Sequence, residues 1–82
     1  MTGSGLGQKI STVGSGGSGS GGFKGMYDPS SGNVPNNNAS AGDYYISNAV
    51  GVIQGVDVGI GTLIIANINN PGNVAANWTF NS

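Results

Sequence analysis

Five charged side chains are all that this 82-residue chain offers to acid–base or ligand chemistry: Lys9, Lys24, Asp28, Asp43 and Asp57, with no Arg, Glu, His or Cys. A general acid–base pair needs groups of tuned pKa in a shaped cleft, and calcium takes about six to eight oxygen ligands. The aspartates have simpler local roles. Asp28 precedes Pro29 in a turn, Asp43 follows Gly42 at a strand start, and Asp57 is the polar position between Val56 and Val58. Ser and Thr are plentiful, but no imidazole is present to activate one, and a Ser–Lys arrangement would have to recruit one of two lysines. Without thiolates or imidazoles, the commonest zinc ligands are missing as well. The residues therefore predict no catalytic, cofactor-binding or metal site, and a protein that is not an enzyme.

Two patterns imitate binding motifs. Gly14-Ser15-Gly16-Gly17-Ser18-Gly19 matches G-x-G-x-x-G, but a dinucleotide site places that motif between a strand and a helix N-terminus, and here it lies inside a Gly/Ser tract. Lys9 follows Gln8, where a phosphate loop requires Gly. The aromatic residues Tyr44, Tyr45 and Trp78 are candidates for a platform stacking on a sugar ring, or for an interface. In so small a module the single Trp is expected in the core, and alternation along a strand turns one of the adjacent tyrosines inward and the other outward. Asn38-Ala39-Ser40 and Asn77-Trp78-Thr79 fit the glycosylation pattern and are read as unused.

These residues need a scaffold, and the chain divides into three parts. Residues 14–22 contain nothing larger than Ser, so they cannot bury enough apolar surface to offset the entropy of ordering and read as a tether. Before it, residues 1–13 form an N-terminal arm in which Leu6, Ile10 and Val13 are three apolar plugs. Their i, i+4, i+7 spacing is helical, but Gly5 and Gly7 oppose a helix and favour an extended arm that docks on a partner. The alternative is a disordered tail. After the tether, residues 23–82 form a β-module.

Composition sets the limits on that module. Sixty or so residues bury only about 60% of the surface their unfolded chain exposes, and with neither disulfide nor zinc available, oligomerisation is the remaining support. Six per cent of residues are charged, against about a quarter in ordinary domains, so strand edges have little electrostatic protection. A net charge of −1 gives no footprint for nucleic acid, and no segment has the roughly twenty apolar residues of a membrane span. Met1-Thr2-Gly3-Ser4-Gly5 lacks the features of a signal peptide, which leads to the expectation of a product made and used without secretion.

Short apolar runs punctuated by Gly, Pro and Asn predict strands over 23–27, 43–48, 49–54, 56–58, 62–66 and 77–81. Residues 28–32, 33–42 and 69–73 read as turns and loops, and Gln54-Gly55 as a tight hairpin turn. No segment has ten residues of clean helical periodicity. The fold class is all-β, a small antiparallel sandwich or barrel-like module preceded by the arm and tether. Ile64, in the most apolar strand, is expected to support self-association together with the low-charge edges.

Phe23-Lys24-Gly25-Met26-Tyr27-Asp28-Pro29, then Gly42-Asp43-Tyr44-Tyr45-Ile46, then Val50-Gly51, Gly55-Val56-Asp57-Val58, Leu63-Ile64-Ile65 and Trp78 follow an order that resembles the small β-module of tailed-bacteriophage fibre and virion-attachment proteins. The resemblance covers residues 23–82. It departs where Gly61-Thr62-Leu63 replaces the G-D-W usual before the apolar strand, and where residues 67–72 lengthen the loop before Trp78. It implies a virion structural protein made in the host cytoplasm: a fibre, fibre-base, head-fibre or capsid decoration subunit. Its implied partners are copies of itself, as a homotrimer, and a larger capsid, portal, tail or fibre protein held through residues 1–22. A host-receptor or glycan-binding module is the alternative.

Overall fold

The computed structural model describes residues 21–82. The arm over 1–13, with Leu6, Ile10, Val13 and Lys9, lies outside the described residues, as does the tether over 14–20. Six strands follow: β1 (Gly22–Tyr27), β2 (Asp43–Ser47), β3 (Gly51–Ile53), β4 (Val56–Val58), β5 (Leu63–Ala66) and β6 (Trp78–Asn81). Two single turns of 3-10 helix, Pro29–Ser31 and Ala75–Asn77, complete the regular structure among these residues. Over the described residues the fold is all-β. Strands β1-β2-β5-β6 make a four-stranded sheet, and β3-β4 a separate hairpin.

The turns form where residue chemistry allows them. Asp28 Oδ1 accepts from the Ser30 N–H at 2.9 Å, Pro29 fixes the first position of the 3-10 turn, and Gly32 ends it in a left-handed conformation, φ 81°. Gln54 and Gly55 both have positive φ, 48° and 84°, the signature of the two-residue hairpin turn whose twist matches its strands. Gly22, at the end of the tether in the sequence reading, is already the first residue of β1.

Three of the four pairings are antiparallel, but β1 and β2 run parallel. Parallel neighbours require a long crossover, and residues 28–42 provide it as loop with one 3-10 turn rather than as an α-helix. That loop is sewn down by backbone and asparagine hydrogen bonds. Asn70 N–H donates to the Ala39 carbonyl (2.8 Å), Gly72 N–H to that of Asn37 (2.9 Å), and Ala41 N–H to Asn69 Oδ1 (2.9 Å). Farther along, Asn73 Oδ1 accepts from the Val34 N–H (3.0 Å), while Asn73 Nδ2 donates to Asn33 Oδ1 (2.9 Å). Gln54 Nε2 reaches the same asparagine's carbonyl and Oδ1, and its Oε1 accepts from the Ala75 N–H. Amide side chains carry donor and acceptor on one short stem, so they satisfy loop backbone without adding charge.

The hairpin packs on one face of the sheet. Ile53 and Val58 meet Ile64, Ala66 and Trp78 there, with Val34 and Ala39 brought in by the crossover loop. Tyr27, Tyr45, Ala75 and Phe80 border this cluster. Each fully buried aliphatic side chain contributes about 1.5–3 kcal/mol, so a core of this size leaves little margin over the ordering entropy.

Candidate functional site

One residue decides which side chains of β1 reach solvent. Phe23 pairs with Tyr44 and Gly25 with Tyr45, so Lys24 is the extra residue of a β-bulge. Simple alternation would put Phe23 and Met26 on opposite faces. The bulge resets the phase, and Met26, paired with Ile46, joins Phe23 on the outer face while Tyr27 turns toward the core. Gly25 takes φ 143° beside the bulge, a conformation that favours glycine.

The register then builds two rows across the outer face. Phe23, Tyr44, Ile65 and Thr79 form one; Met26, Ile46, Leu63 and Asn81 form the other. The Phe23 and Tyr44 rings lie 5.7 Å apart. Because the hairpin occupies the inner face, this one stays open among the described residues: Phe23 is 52% and Met26 55% exposed, and Tyr44, Ile46, Leu63 and Ile65 are half-buried. None of the eight positions is charged. At the margin, Lys24 Nζ stands 3.9 Å from Asp43 Oδ1. The solvated face of a sheet is normally polar. Here six apolar side chains on one face have no cover from residues 21–82.

The three aspartates stay apart, and no group of three potential metal-binding side chains occurs among the described residues. Asp28 caps its turn. Asp43, 5% exposed, accepts from the Gly21 N–H at Oδ1 (3.2 Å) and from the Ser40 N–H at Oδ2 (2.9 Å), tying the start of β1 to the turn before β2. Asp57 is exposed on the hairpin, opposite Val52.

The aromatic candidates do not share a surface. Trp78 is 4% exposed in the core, and Tyr45 lies on the same inner side, its ring 6.4 Å from that of Trp78 and 6.4 Å from that of Tyr27. Only Tyr44 belongs to the open face. A sugar platform built from Tyr44, Tyr45 and Trp78 is thus taken apart by strand alternation. Asn77, within a glycosylation pattern, points inward and donates through Nδ2 to the Pro71 carbonyl at 2.9 Å.

The expectation for Ile64 needs correcting. It is completely buried, facing the hairpin, and so cannot contact another copy. Its neighbours Leu63 and Ile65 hold the outer positions instead. Phe23 and Met26, the most exposed apolar members of the face, are not marked out by the sequence pattern. The signal for an outer apolar face was the uninterrupted run Leu63-Ile64-Ile65-Ala66, apolar at every position and so fitted to burial on both sides. Comparison of the chain with family models, curated proteins and solved structures finds no match.

Proposed function

We propose that this chain is a non-enzymatic structural subunit of a virion of the tailed-bacteriophage type, a fibre, fibre-base or capsid decoration protein. Residues 1–13 anchor it to a larger particle protein through Leu6, Ile10 and Val13, and the β-module assembles with its copies, as a homotrimer. The observation that carries this reading is the open apolar face of the four-stranded sheet in a chain with two lysines and three aspartates. Exposed apolar surface of that continuity marks an interaction site, and low charge suits contact between identical copies. The resemblance of residues 23–82 to phage attachment modules supports the virion setting.

The test is incorporation. Deleting residues 1–13 is expected to abolish the chain's presence in purified virions, with the module still folded by circular dichroism. Normal incorporation of the truncated chain would overturn the anchoring role.

A further inference from the structure

We infer that the outer face, centred on Phe23, Met26, Tyr44, Ile46, Leu63 and Ile65, is the surface through which copies of this chain pack on one another, and that it is sized to do so only when the copies are held close together. This rests on the assembly reading above and gives it a location and a strength.

Three observations favour a second copy as the occupant. The face carries no charge, and the adjacent cation Lys24 is matched by Asp43 at 3.9 Å, so identical surfaces meet without like-charge repulsion. The two rows also differ in kind. Phe23 and Tyr44 put two rings into one, beside Ile65, while Met26, Ile46 and Leu63 make the other aliphatic. The ring-bearing row of one copy can therefore seat on the aliphatic row of the next, so the face is complementary to itself. Finally, the edge beside this face is a poor template for strand addition, since β1 is bulged at Lys24, and bulges and lysines are the usual protections of an edge. That leaves the face as the route of contact on this side.

Area sets the strength. A standard stable interface buries about 800 Å² per partner, and six side chains, four of them already half-buried, offer roughly half of that. Free copies then associate weakly. Copies tethered to a common anchor experience effective concentrations on the order of millimolar, enough to populate a contact too weak to form in dilute solution. The module thus stays dispersed until anchored and closes on its neighbours afterwards.

Sedimentation equilibrium of the full chain from about 10 μM to about 1 mM, the range spanned by dilute solution and tethering, tests this. The chain is expected to pass from monomer to oligomer within that range. Phe23→Ser combined with Met26→Ser, at positions more than half exposed, should lower the association constant at least tenfold with Trp78 emission unchanged. Val52→Ser, equally exposed but on the hairpin, should leave it unaltered. A wild-type chain that remains monomeric throughout, or that binds phosphatidylcholine vesicles as a monomer, overturns the inference. So does a double variant that associates as the wild type does, or a Val52→Ser variant that loses association. Should the double variant not fold, Met26→Ser alone, read the same way, decides the matter. Deletion of residues 1–13 tests anchoring separately, so either reading can fail without the other.

Discussion

Gly51 occupies a site with no room for a side chain. A Cβ there would stand 2.9 Å from Pro29 Cγ and 3.0 Å from the Pro29 carbonyl carbon and oxygen, atoms of a buried proline at the start of the crossover loop. Gly51→Ala must push the hairpin off that loop, and is expected to cost about 1–3 kcal/mol, measured by urea unfolding. Asp43 matters for a different reason. Removing its carboxylate in Asp43→Ala leaves the Gly21 and Ser40 N–H groups without their acceptor and releases Lys24, a loss of about 2–3 kcal/mol by the same measurement. Asp57→Asn, on the exposed side of the hairpin, should change stability by no more than about 0.5 kcal/mol. A comparable loss there would contradict the separation of the aspartates into structural and surface positions.

At the scale of elements, the strands were legible because Gly, Pro and Asn punctuate them. The turn at Gln54 and Gly55, the turn after Asp28 and the core position of Trp78 all follow from local chemistry. Two features were not legible. The parallel pairing of β1 with β2 depends on a crossover with no helical pattern to announce it, held by asparagines whose partners lie far off in sequence, such as Asn73 with Asn33. The facing of side chains depends on Lys24 being a bulge and on the phase of the run from Leu63 to Ala66, in which every position is apolar. One-residue phase therefore separates Ile64 in the core from Ile65 on the open face. This makes a prediction about the element itself. Deleting Lys24 takes out the extra residue and leaves Phe23, Gly25 and Met26 in regular register with Tyr44, Tyr45 and Ile46, so Phe23 and Met26 stay together on the outer face. The expected result is a folded module with Trp78 emission unchanged, as for Lys24→Ser, which keeps the residue count; altered emission on deletion would contradict the bulge at Lys24.

For the molecule as a whole, a thin core and an open apolar face are two sides of one design. Domains are held by only about 0.05–0.15 kcal/mol per residue, so the removal of even one central side chain, as in Ile64→Ala at about 2–5 kcal/mol, takes away much of the stability of 62 described residues. The proposed packing of copies on the outer face would restore part of that margin, because binding to the folded state raises its apparent stability. The chain contains no cysteine, so a single introduced thiol reports on its own surroundings without interference. The most direct measurement is maleimide labelling of full-length Met26→Cys and Val52→Cys, compared at about 10 μM and about 1 mM, concentrations on either side of the expected association. Both thiols should react freely in dilute solution; at high concentration the one at position 26 should become protected and the one at position 52 remain open. Equal reactivity at position 26 under both conditions, or protection confined to position 52, would show that copies do not meet through this face.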